Sequence, residues 1–173
     1  GGRAFVPPIP GIEDVDAMTN VEMMALDTLP EHLVIVGGSY ISLEFAQIYR
    51  RFGSRVTVVE MSERIIPRED EDVSATIREI LEGEGIEFQS CSQVSKMERT
   101  DSGFVAHLTQ SEGDLELSGS HLLMAVGRRP NTDDLGLDKA GVAVDPRGYI
   151  TVDDQLQTSV SSIWALGDCN GQG

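Results

Sequence analysis

Apolar positions along the chain fall into two periods, and each change of period marks the border of an element. His32-Leu-Val-Ile-Val36 is a short apolar run rich in β-branched side chains, the pattern of a strand buried on both faces. Gly37-Gly38-Ser39 breaks it. From Tyr40 to Phe52 the apolar residues Ile41, Leu43, Phe45, Ala46, Ile48, Tyr49 and Phe52 take helical spacing, and Gly53 stops the helix. Arg55-Val-Thr-Val-Val59 is a second strand, ending in Glu60. Strand, glycine turn, helix and strand make a βαβ unit.

The helical period returns over Asp70–Glu84, with Val73, Ile77, Ile80 and Leu81 expected on one face. Acids crowd its first turn, where the positive end of the helix dipole favours them. Gly85 closes this helix and Ile86-Glu-Phe88 begins a third strand. Three short runs follow: Gln93 to Glu98, Phe104 to Thr109 and Asp114 to Leu117. The turn signals Thr100-Asp-Ser-Gly103 and Ser111-Glu-Gly113 separate them, which predicts an antiparallel meander. His121-Leu-Leu-Met-Ala-Val126 reads as a further buried strand running into Gly127. Tyr149 to Asp153 and Ser162 to Leu166 are expected to add two more. Upstream, three prolines within Pro7–Pro10 exclude regular helix and predict an extended connector. Thr19 to Leu26 forms a short helix with Thr19 or Asn20 as its cap, and Pro30 resets the chain. The sum is a Rossmann-like three-layer α/β domain: a parallel sheet with helices on one face and the antiparallel meander on the other.

Charge narrows the partners. Thirteen Lys+Arg against 29 Asp+Glu give a net charge of −16. Nucleic acid and anionic membranes are bound by neutralising their phosphates with Lys and Arg, so neither is an expected partner. No apolar run of the length needed to span a membrane is present, and residues 1–10 lack the pattern of a signal peptide. The chain opens on Gly1 rather than Met, as expected of a piece of a longer protein. Cys91 and Cys169 stand far apart, and with His32, His107 and His121 they form no metal-ligand spacing. A reduced, cytoplasmic setting is expected, with both cysteines structural.

Candidate chemistry gathers at the glycine turn. A dinucleotide's diphosphate is matched by the unpaired amides of a helix N-terminus, and only small residues let the backbone come close. Gly37 supplies the tight turn. The G-x-G-x-x-G spacing would place glycines at 39 and 42, where Ser39 and Ser42 stand instead; Gly38 occupies a place where none is required. At position 39 a serine would either crowd a phosphate or donate a hydrogen bond to it. Serine at 42 is nearly as small as the tolerated alanine. From the glycines alone, a βαβ turn that binds nothing stays open. Glu60 lies 23 residues after Gly37, at the end of the second strand, where a carboxylate can accept from the adenosine ribose hydroxyls and repel a 2′-phosphate. This favours NAD over NADP, although Arg64 keeps NADP open, and an exposed strand-end acid is the plain alternative.

Four segments in order carry a resemblance: Val34-Ile-Val-Gly-Gly-Ser-Tyr-Ile-Ser-Leu-Glu44, Val56-Thr-Val-Val-Glu60, Ala125-Val-Gly-Arg-Arg-Pro-Asn-Thr132 and Ala165-Leu-Gly-Asp168. Throughout its length the chain resembles the pyridine nucleotide-disulfide oxidoreductases, especially the mercuric reductase and dihydrolipoamide dehydrogenase branch. The resemblance implies NAD(P) contacts at Gly37, Gly38, Ser39, Tyr40, Ile41, Ser42, Leu43 and Glu44, with Glu44 near the nicotinamide. It also implies contacts at Glu60, at Val94 against the adenine, and at Gly127 beside the nicotinamide ribose. Asp168 would hold the ribityl chain of FAD. Residues 1–30 would be a connector from an FAD domain, 31–148 the NAD(P)-binding domain, and 149–173 the start of the return to the FAD domain.

The family's C-x-x-x-x-C redox pair and its catalytic His-Glu pair have no counterpart here; by resemblance they belong to the FAD and dimerisation domains of the parent, expected to be a homodimer. The fragment alone is therefore expected not to turn over. Ser39, in place of the middle glycine, puts affinity in question. Two other readings stay open: a related flavoprotein without the redox disulfide, such as an NADH oxidase or a ferredoxin-reductase-like protein, and a degenerate domain that binds no nucleotide.

Overall fold

The computed structural model describes residues 1–111 and 113–172. The chain divides into two compact units: Val6–Val126 forms the larger, and Gly1–Phe5 with Gly127–Gly173 the smaller. Gly173, and Glu112 of the expected turn 111–113, lie outside the described residues.

The first element, β1 (Gly2–Ala4), belongs to the smaller unit. In the larger unit a 3₁₀ turn (Ile12–Asp14) precedes β2 (Ala17–Met18) and α1 (Asn20–Ala25). Thr19 caps α1 in a reciprocal box with Glu22: the Glu22 carboxylate accepts from the Thr19 amide at 2.8 Å. Then come β3 (His32–Val36), α2 (Tyr40–Phe52), β4 (Arg55–Val59), α3 (Glu71–Gly83) and β5 (Glu87–Gln89). The borders of β3, α2 and β4 coincide with those expected from the sequence. Gly53 ends α2 at φ 110°, its amide donating back to the Arg50 carbonyl. The meander is β6 (Gln93–Thr100), β7 (Gly103–Thr109) and β8 (Leu115–Gly119), and β9 (His121–Met124) returns to the main sheet.

That sheet has the order β2-β9-β3-β4-β5, with every pairing parallel. Each strand's alternation sends neighbouring residues to opposite layers. Leu33 and Ile35 of β3, Val56 and Val58 of β4, and Leu123 of β9 pack with Leu43, Phe45, Ala46 and Tyr49 of α2. Val34, Val36, Val59, Leu122 and Met124 pack instead with Val94, Met97, Phe104, Ala106 and Leu108 of the meander. The sheet is thus buried on both faces, helices on one and the meander on the other, and the three-layer α/β fold stands.

On α3, Val73, Ile77, Ile80 and Leu81 share one arc of about 100°, but the arc is only partly buried: Val73 is 41% and Ile80 54% exposed. The buried side is centred on Leu81 and on Ser74, whose hydroxyl donates to the Ile65 carbonyl at 2.8 Å, so Val73 and Ile80 fall at its rim. The expectations for the smaller unit are corrected. In the smaller unit, β1 pairs antiparallel with β10 (Arg128–Pro130), so part of the connector is strand; α4 (Leu137–Ala140) follows. Neither Tyr149–Asp153 nor Ser162–Leu166 forms a strand; their ladder is reduced to the single bridges Val144–Ile150, Val152–Thr158 and Gln157–Trp164. The Asp145 carboxylate accepts from the amides of Arg147 and Tyr149, and Asp153 from those of Gln155 and Gln157, so tight turns take donors that a ladder would use. Val142, Ile150 and Ala165 make this unit's own small core, with Cys169 against it.

Candidate functional site

Parallel strands place every strand-to-helix turn of the larger unit at the carboxyl edge of its sheet, where ligands of open α/β sheets bind. Gly37 begins the turn after β3 at φ 106°, and its amide donates to the Val59 carbonyl at 2.8 Å. A Cβ there would stand 2.5 Å from the Ala125 carbonyl oxygen. Glycine at 37 is therefore required twice, by its dihedral and by the closeness of the β9 end.

Gly38 corrects the sequence reading. A Cβ at this position would meet Glu60 Oε2 at 2.9 Å, Cγ at 3.0 Å and Cβ at 3.1 Å, so any larger residue here would have to displace the Glu60 side chain. Glu60 is 9% exposed; its Oε2 accepts from the Gly38 amide at 2.6 Å and its Oε1 accepts from the Ser62 amide at 2.7 Å. Glu60 is thus neither an exposed strand-end acid nor free of protein partners. The segment after it folds back over the turn: the Ile66 amide donates to the Gly38 carbonyl at 2.8 Å, with Ile65 and Ile66 buried in the helical core. Ile66 holds φ 38°, a costly conformation for a β-branched residue that its buried side chain and paired amide sustain. Sequence reading missed this anchor, though an Ile-Ile pair within the polar run 61–72 was its signal.

Ser39 is the N-cap residue of α2, exposed and extended, and its side chain makes no capping hydrogen bond. The first-turn amides of the helix therefore lack a side-chain acceptor and keep their capacity for an anion. Tyr40 is exposed, and its hydroxyl donates to the Glu69 carboxylate, which pushes the phenol pKa up. Ile41 is half-buried and Glu44 exposed, whereas Ser42 and Leu43 face the core. The Ser42 hydroxyl is fully buried and has no hydrogen-bond partner among the described residues. Its place on the sheet side of the helix demands a small side chain, not a polar one. Val94 is 8% exposed within the meander core.

Gly127 and Asp168 belong to the smaller unit. Gly127 has φ 144° with open space where a Cβ would stand, and Asp168 is exposed just after Gly167, at φ 84°. Cys91 is exposed at φ 51°, so packing does not account for it as it does for Cys169. A cavity of about 250 Å³ opens elsewhere on the larger unit, at the amino edge of the sheet, lined by Val15, Met18, Phe104 and His121 among others. Among the described residues no cluster of three or more His, Cys, Asp or Glu is arranged for a metal, and no helix is long and apolar enough to cross a membrane.

A parallel sheet with a left-handed glycine turn, an uncapped helix and an acid at the end of the next strand defines the Rossmann-like class. Comparison with known proteins goes one step further. The profile of the pyridine nucleotide-disulphide oxidoreductases matches residues 1–173, and the chain belongs to that family. It is 43% identical over 168 residues to a mercuric reductase of Streptomyces lividans, covering 97% of this chain and 35% of that protein. It is 37% identical over 172 residues to the probable pyridine nucleotide-disulfide oxidoreductase RclA of Escherichia coli (strain K12), covering 99% of this chain and 38% of that protein. The solved structure of the HOCl-induced flavoprotein disulfide reductase RclA from Escherichia coli superposes with a TM-score of 0.88 at 36% identity, covering 99% of this chain and 39% of that one. The chain thus spans little more than a third of the length of these relatives.

Proposed function

We propose that the chain is the nucleotide-binding part of an FAD-dependent, disulfide-type oxidoreductase and that it holds NADH in preference to NADPH. The observation that carries this reading is the Gly37 turn: it delivers the uncapped amino end of α2 and the unengaged Ser39 hydroxyl to the carboxyl edge of the sheet. The residues fit the nucleotide. Amides of the first turn of α2 and the Ser39 hydroxyl would receive the diphosphate. Glu60 Oε1 and Oε2 each accept one amide, and a carboxylate oxygen has capacity for a second donor, so the adenosine ribose hydroxyls can be met there. The same negative charge opposes a 2′-phosphate. Arg64, half-buried near the end of β4, is the residue that would lessen that opposition.

Hydride transfer from NADH to FAD is chemistry that the cofactors supply; this chain's own residues bind and orient. In the same reading residues 31–148 are the NAD(P)-binding domain, 1–30 the connector and 149–173 the return, where Asp168 would hold the FAD ribityl chain. The other domains of a cytoplasmic, homodimeric parent complete the site. The fragment by itself is expected to bind NADH weakly and not to turn over, because flavin and neighbouring domain form much of the nicotinamide's surroundings.

Calorimetric titration of the chain with NADH and NADPH tests the proposal. Saturable binding of NADH, tighter than that of NADPH, is expected. Absence of saturable binding of either nucleotide at millimolar concentration would make the chain a degenerate domain.

A further inference from the structure

We propose that Glu60 is a positioning residue that sets the diphosphate-receiving turn before any ligand arrives, a role additional to contact with a ribose and resting on the nucleotide reading above. Its carboxylate joins two strands of backbone: Oε2 accepts from Gly38 at 2.6 Å and Oε1 from Ser62 at 2.7 Å. The Glu60 main chain is fixed as well, its amide donating to the Gln89 carbonyl at 2.9 Å and its carbonyl accepting from Ser92 at 3.0 Å. The Gly38 carbonyl accepts from Ile66 at 2.8 Å, so both polar groups of the Gly38 peptide neighbourhood are tied to residues 60–66. The absence of a Cβ at 38 is what admits the carboxylate, since three Glu60 atoms lie within 3.1 Å of where it would stand.

Only glutamate meets these demands. The two amides that face it are both donors, and a carboxylate offers two acceptors and no donor. Glutamine would turn an NH₂ toward one of them, and aspartate is shorter by a methylene. A consequence follows for the ligand. With its amide committed to Glu60, Gly38 is not the diphosphate's donor, and that duty falls to the next amides, at Ser39, Tyr40 and Ile41.

The test uses the chain with Glu60→Ala, Glu60→Gln and Glu60→Asp. Amide hydrogen exchange of the ligand-free proteins is read by NMR, and binding is titrated with inorganic pyrophosphate, a probe that has no ribose, and with NADH. In Glu60→Ala, exchange at Gly38 and Ser62 is expected to quicken about tenfold or more, while Val34 and Val58 inside the sheet keep their protection. Pyrophosphate and NADH should weaken together. Glu60→Gln, which keeps the length and one acceptor, should recover part of both effects, whereas Glu60→Asp should not.

Unchanged exchange at Gly38 and Ser62, or weakened NADH with pyrophosphate unaffected, would overturn the positioning role and leave a ribose contact alone. If Glu60→Ala does not fold, Glu60→Gln against Glu60→Asp carries the same comparison. Failure of the nucleotide reading looks different: wild-type protein would bind neither ligand, yet exchange at the two amides would still respond to the substitutions.

Discussion

Replacing Gly37 with alanine probes the turn on which the site is built. The new Cβ would stand 2.5 Å from the Ala125 carbonyl oxygen and 3.3 Å from the Val126 Cα, all of it backbone that no side-chain rotation can clear. The residue would also hold φ 106°, outside the range of ordinary side-chain-bearing residues. A sparsely populated dihedral costs about 1–3 kcal/mol and overpacking about 1–3 kcal/mol. A total of roughly 2–6 kcal/mol is a large share of the ~5–15 kcal/mol that keeps a domain folded. At about 3 °C per kcal/mol for a chain of this length, the melting temperature should fall by about 6–18 °C. Gly83→Ala is the matched control: Gly83 is the last residue of α3, without a positive φ and with open space around the added Cβ. At this end position it should be neutral or stabilise the protein by up to about 0.5 kcal/mol, less than the preference of alanine over glycine inside a helix. Urea unfolding followed by circular dichroism measures both. A Gly37→Ala variant within about 0.5 kcal/mol of wild type would refute the packing argument at the β3–β9 crossing.

Ser42→Ala removes a buried hydroxyl without a partner, and stability should rise by about 1 kcal/mol; a clear loss in urea unfolding would mean that the hydroxyl is satisfied. Burial, aided by the Arg55 charge, pushes the His32 pKa down in the folded protein. The unfolded chain then protonates first, so stability is full above about pH 6.5 and falls as pH drops through that value toward the folded pKa. His32→Gln should therefore lose less stability than wild type between pH 7 and pH 5, and parallel pH curves for the two would discount the burial effect. Ser39→Gly should change the NADH dissociation constant measurably while Cys91→Ser leaves it alone; equal constants for Ser39→Gly and wild type would show that the diphosphate does not rest at position 39. Glu60→Ala should narrow the gap between NADH and NADPH affinities, and an unchanged ratio would remove Glu60 from nucleotide discrimination.

Much of this was legible in the chain because local and global signals agree. Tyr40–Phe52 takes helical spacing closed by Gly53, with Leu43, Phe45, Ala46 and Tyr49 buried and Ile48 and Phe52 left at the exposed rim, and His32–Val36 and Arg55–Val59 are apolar on both faces because the sheet has a layer on each side. Where the reading failed, the competing effect was tertiary or came from a short side chain. On α3 the buried side is centred on Ser74 and Leu81, so Val73 and Ile80, at its rim, stay in water. Asp145 and Asp153 draw main-chain amides into turns, which a count of β-branched residues cannot foresee. The site shows the same division. Gly37 announces itself by its place after a strand, but what crowds position 38 is a side chain 22 residues away in sequence. Spacing rules place Glu60 at the strand end; they are silent on the two amides that hold it there.

The most direct test is to follow backbone amide resonances of the chain while NADH is added. Saturable shifts largest at Ser39, Tyr40, Ile41 and Ser42, with a smaller response at Glu60, are expected. Saturable shifts centred elsewhere, with these amides unmoved, would contradict a diphosphate seated on the amino end of α2.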